Sequence, residues 1–138
     1  MNSIKCIEHL RKFPGGYGVD GSFGQVAAFI SGLDAAKDEY LLEGFREWLI
    51  VKVGFGSNLG WSILALHVIF PGRSKMHPSG FSEDESKYAG EMLIDLLLEF
   101  LKIRSSGGLT GIYHAYITWL RKQEWYREGF PGYLEEPE

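Results

Sequence analysis

The chain has 138 residues, with 14 lysines and arginines against 18 aspartates and glutamates, a formal net charge of −4. That length suits one domain with an ordinary core and calls for neither disulfides nor a structural metal. The acidic balance argues against a generic nucleic-acid binder, which draws on a basic face.

In chain order, Ile4, Ile7, His9, Leu10 and Phe13 recur at helical spacing, with Ser3 as the expected N-cap and Pro14-Gly15-Gly16 as the stop. The charges interleaved through this segment leave no continuous apolar stretch of the signal-peptide kind. Phe23, Val26, Ala27, Ile30 and Leu33 predict a second amphipathic helix, capped by Asp20 or Ser22 and closed by the polar run Asp34 to Glu39. Tyr40 to Val53 reads as a third, with Leu41, Leu42, Phe45, Trp48, Leu49 and Val53 on one face and Glu43, Arg46 and Glu47 on the other. A strand over 48–53 competes, because Ile50, Val51 and Val53 are β-branched, and it would pair as a hairpin with 63–70.

Trp61 to Phe70 is apolar almost all round and is expected at the centre of the core, though it is too short to span a membrane. Ser82-Glu83-Asp84-Glu85 has the Ser-x-x-Glu form of a capping box. It opens a helix with Ala89, Met92, Leu93, Leu96, Leu97, Phe100 and Leu101 as its core stripe, expected to run to about Arg104. Gly107-Gly108 should break it before a last helix carrying Ile112, Tyr113, Tyr116, Trp119, Leu120 and Gln123 on one face. Residues 125–138 form an aromatic and acidic tail containing Trp125, Tyr126, Phe130 and Tyr133, expected to pack back over the domain. The resulting expectation is an all-α single domain over 1–138, built of five or six short helices, with an α+β fold as the alternative if the hairpin forms.

Eighteen glycines are an excess that could signal a phosphate-binding loop. Gly16-Tyr17-Gly18-Val19-Asp20-Gly21 matches G-x-G-x-x-G literally, but it follows a charged helix and Pro14, not an apolar strand, and no βαβ pattern surrounds it. Gly21-Ser22-Phe23-Gly24-Gln25-Val26 echoes a kinase glycine loop without the lysine, H-R-D or D-F-G elements that a kinase needs. Both reduce to loop and capping roles, so no cofactor is expected. Cys6 and His9, three apart, give two candidate ligands where zinc needs more. His67 reads as a core-edge histidine, and His77 falls in a loop next to Pro78. His114 with a carboxylate, in a site between the glycine loop and the last helix, is the one candidate general base. The lone cysteine fits a reducing, cytoplasmic setting.

Two acidic concentrations are more informative. Glu91, Asp95 and Glu99 fall at i, i+4 and i+8 of one helix, a ladder of like charge. Asp34, Asp38, Glu39, Glu43 and Glu47 cluster at the start of the third helix. A solvated face is the ordinary reading of both; the functional one is a surface that meets a basic partner.

Through Gly44-Phe45-Arg46-Glu47-Trp48-Leu49 and Asn58-Leu59-Gly60-Trp61, the middle third of the chain resembles small bacterial immunity proteins encoded beside polymorphic toxins. The resemblance implies a high-affinity inhibitor without chemistry of its own, which binds a cognate toxin domain and occludes its active site. If that toxin is a nuclease its site is basic, and either acidic concentration could mimic phosphate spacing. The expected partner is therefore a toxin with a basic active-site face, with no direct nucleic acid or membrane. The alternatives from other classes are a small enzyme using His114 and a homo-oligomeric scaffold that buries the aromatic tail.

Overall fold

A computed structural model describes residues 2–36, 40–74 and 76–127. They form five helices: α1 (Ser3–Lys12), α2 (Phe23–Ala36), α3 (Phe45–Val53), α4 (Trp61–Ile69) and α5 (Glu83–Arg121). The fold is all-α, with no strand among the described residues. The hairpin alternative over 48–53 and 63–70 is thereby corrected. Leu49, Ile50, Leu64, Ala65 and Leu66 are buried as helical faces where α3 packs on α4, and burial of that kind outweighs the weak strand preference of Ile50 and Val51.

The ends of the helices follow local chemistry. Asn2, not Ser3, caps α1, its side chain accepting from the Lys5 amide at 2.8 Å. Pro14 then opens a short 3-10 turn (Pro14–Tyr17). At the start of α2 the Asp20 carboxylate accepts from the Ser22 amide at 2.8 Å, while the Phe23 amide donates to Ser86 Oγ of α5 at 3.2 Å. The helix is thus partly capped from another element. α3 begins at Phe45, five residues later than the apolar pattern suggests, because Gly44 takes the left-handed conformation (φ 85°) and Tyr40 to Gly44 form turns instead. The expected capping box opens α5: Glu85 N–H donates to Ser82 Oγ at 3.1 Å, and Ser82 N–H to Glu85 Oε1 at 3.0 Å.

α5 departs from the expectation of short helices. It spans 39 residues, continues past Arg104, and changes direction at Gly108, whose φ 74° and ψ 172° are not helical. The two limbs on either side correspond to the two helices expected around Gly107-Gly108. The first limb is the axis of the molecule: Ala89, Leu93, Leu97 and Phe100 are fully buried, and α1, α2, α3 and α4 all pack on α5. Burial of each of Leu93, Leu97 and Phe100 contributes about 1.5–3 kcal/mol, and the Ala89 methyl less. Met92, expected in the stripe, is only partly buried.

An aromatic cluster joins the elements, with the Phe45 ring 5.0 Å from Phe100, 5.9 Å from Trp61 and 6.1 Å from Trp48. At the end of the second limb, Trp125 sets its edge to Trp119 at 6.4 Å, and Trp125 and Tyr126 both pack against the core. The start of the tail therefore folds back; Phe130 and Tyr133 lie outside the described residues. Among the described residues no helix is long and apolar enough to cross a membrane.

Candidate functional site

The ladder Glu91–Asp95–Glu99 lies as its spacing requires on one exposed face of the first limb of α5. Its charge is not left open. Arg11 of α1 forms an ion pair with Asp95, and Lys52 of α3 reaches Glu99 at 3.9 Å. Lys52 also lies over the Trp48 ring, 5.1 Å from its centroid. Glu91 lines a small recess of about 190 Å³ beside Arg11, Asp20 and Lys87. Two flanking helices thus supply cations to two of the three rungs, and the cost of placing like charges at i and i+4 is offset across elements.

The second acidic group divides. Asp34 is half-buried and accepts the Leu42 amide at 2.9 Å, which ties the end of α2 to the 40–44 turn, so its role is internal. Asp38 and Glu39 lie outside the described residues. Glu43 is exposed and Glu47 half-buried, and among the described residues no cation lies within 4 Å of either carboxylate. Both act on Tyr113 of the second limb. Its phenol is held above its ordinary value, first by partial burial and then by the Glu47 and Glu43 charges, with Arg104 opposing.

Arg104 is the residue on which this region is built, and sequence reasoning passed over it. Its Nη1 donates to the carbonyls of Tyr40, Leu41 and Glu43 at 3.0, 2.9 and 3.0 Å, and its guanidinium lies over Phe100. The two N–H groups of this one nitrogen are shared among three carbonyls of a turn whose own bond there, from the Glu43 amide to the Tyr40 carbonyl, is long at 3.4 Å. The result is a fixed platform carrying Tyr40 (66% exposed), Glu43, Glu47 and Tyr113. Only the acidic composition of this stretch signalled it. The contribution of Arg104, more than sixty residues away in sequence, had no local signature.

His114 is exposed on α5, and among the described residues no carboxylate lies within 4 Å of it. The pair expected for a general base is not brought together. His9 engages a phenol instead: its Nδ1 lies 2.8 Å from Tyr17 Oη. The Tyr17 phenol is raised by burial, then by the charge of Cys6 and a hydrogen bond to it. Tyr17 also sets its ring edge against Phe29, so the trio locks the 3-10 turn onto α1 and α2. No group of three or more His, Cys, Asp or Glu among the described residues could hold a metal ion.

The G-x-G-x-x-G stretch is a connection. Gly18 and Gly21 have positive φ, and the Gly21 carbonyl is pressed against Gly90 of α5. Compared with protein-family models, curated proteins and solved structures, the chain matches none.

Proposed function

We propose that this chain is an immunity-type protein of the bacterial cytoplasm, which binds a toxin domain with a basic active-site face and occludes it, working by contact and not by chemistry of its own. The observation that supports this reading is the contrast between the two acidic regions. Asp95 is paired with Arg11 and Glu99 has Lys52 only at 3.9 Å, whereas Glu43, on the turn clamped by Arg104 with exposed Tyr40, and Glu47, in the first turn of α3, have no cation within 4 Å among the described residues. Carboxylates interleaved with tyrosines on a preorganised surface suit a basic partner: the charges steer encounter, and the rings supply contact area at low entropic cost. The ladder, with Arg11 and Lys52 beside two of its three rungs, is the secondary candidate.

The test is co-expression with the product of the adjacent reading frame, followed by growth and affinity measurements. The wild-type chain should restore growth and form a stable complex. Glu43→Lys and Glu47→Lys should each weaken binding about tenfold or more, the size expected for losing a close interfacial charge pair. Glu91→Lys should leave binding within a factor of two or three. Failure of the wild-type chain to restore growth overturns the inhibitor reading; a ladder variant as damaging as the Glu43 and Glu47 variants overturns the choice of face.

A further inference from the structure

On the side of the molecule where α3 ends and α4 ends, a groove of about 640 Å³ opens between Lys52, Phe55, His67, Val68, Pro71 and Arg73. Its volume falls within the range of small-molecule sites. We propose that this groove binds a small organic acid with an aromatic body, the body lying on Phe55, Val68 and Pro71 and the carboxylate facing Lys52, His67 and Arg73.

The first support is the composition of the wall. Among the described residues, three basic side chains line the groove and no carboxylate does. The acids that accompany its cations stand on α5, outside the lining: Glu99 reaches Lys52 only at 3.9 Å, and Glu85 takes a single nitrogen of Arg73 at 2.7 Å. Arg73 is braced in place, its guanidinium 5.2 Å from the Phe70 ring and 4.8 Å from Phe81. Phe70 and Phe81 adjoin each other, with centroids 5.1 Å apart, and an arginine laid over such a pair keeps its planar fork in one orientation, the preorganisation that carboxylate recognition needs.

The second support is the floor. Phe55 is 42% exposed and meets the His67 ring edge-on at 4.9 Å. An aromatic ligand covering Phe55 would remove apolar surface from water while its carboxylate reached the basic wall. Burial among these groups lowers the pKa of His67 from its ordinary value. The charged side chains that line the groove with it are Lys52 from α3 and Arg73 from the segment after α4, both positive. A bound carboxylate beside the ring would offset that burial and favour the imidazolium, so binding and protonation are linked.

The experiment is a titration of the full chain with phenylacetate, followed through the His67 Hε1 and Phe55 ring resonances by NMR. At pH 6 the ligand should produce a saturable shift at both residues and move the His67 titration to higher pH. Its affinity should fall by up to about tenfold per pH unit as pH rises above the histidine's own pKa. Phenylacetamide, equal in shape and uncharged, should bind at least about tenfold more weakly. Lys52→Gln, an exposed substitution that preserves the fold, should weaken phenylacetate several-fold, and His67→Gln should remove the pH dependence. Absence of a saturable shift at millimolar phenylacetate, equal binding of the amide, or indifference to Lys52→Gln would each overturn the proposal.

Discussion

Gly90 shows how one absent atom sets the distance between a loop and a helix. A Cβ at this position would stand 2.2 Å from the carbonyl oxygen of Gly21, inside any permitted contact, and the obstacle is backbone that cannot rotate away. The loop before α2 therefore rests directly on α5, and the Phe23 amide reaches Ser86 Oγ from the same position. Gly90→Ala should destabilise the chain by about 1–3 kcal/mol, despite the better helix propensity of alanine. Thermal unfolding would show this as a drop of several degrees, and an unchanged midpoint would mean that the loop moves away freely. Gly24 and Gly32 have nothing within 4 Å of their added Cβ, so a mid-helix glycine in this sequence is no guide by itself to close packing. The pattern shows where glycines interrupt helices; only the neighbouring chain distinguishes Gly90 from the others.

At the scale of the element, α5 is written into its own sequence more completely than any other helix. The capping box, the acidic first turn and the stripe from Ala89 to Leu101 are all local features, and they form as their spacing requires except at partly buried Met92. Glu85 carries two of those duties. Its carboxyl is held below its ordinary value of 4.5, chiefly by the Ser82 amide and next by Arg73. Since the folded value is the lower one, the unfolded chain binds more protons as pH falls below about 4.5. The stabilisation is present above that pH and is lost on acidification through the folded value. Glu85→Gln should therefore flatten the dependence of unfolding temperature on pH in this acidic window while leaving the rest of the curve parallel to wild type. α3 is the contrasting case. Its apolar positions begin at Leu41, yet the helix begins at Phe45, because Asp34 and Arg104 hold the 40–44 segment in a turn. Periodicity cannot register bonds made by residues on other elements.

For the molecule as a whole, the decisive feature is the change of direction at Gly108. Its φ 74° and ψ 172° lie in a region essentially reserved for glycine. Leu109 and Ile112, just past the bend, meet Gly44 beside Phe100 of the first limb, so both limbs of α5 converge on the start of α3. That convergence positions Tyr113 within the field of Glu43 and Glu47 and completes the acidic and aromatic platform. Gly108→Ala should cost about 1–3 kcal/mol in stability, from the forbidden backbone conformation. It should also alter the near-ultraviolet signal of Trp119 and Trp125, which sit on or beyond the second limb. A variant as stable as wild type would show that the limbs tolerate another angle.

By itself the sequence determined the position of the break at Gly107-Gly108, the capping box of α5 and the presence of two acidic regions, and it favoured the helical class while leaving the hairpin over 48–53 and 63–70 open. All of these depend on residues within a turn or two of each other. Only the tertiary structure decided which acids remain open. Arg11 and Lys52 reach the ladder from α1 and α3, and Arg104 clamps a turn that precedes it by some sixty residues. The same holds for the basic groove, whose lysine, histidine and arginine are spread over three segments. Charge density along a chain is a property of composition, whereas the field at a surface depends on which opposite charge folding brings within a few ångströms, and Coulomb energy falls with that distance and not with sequence separation.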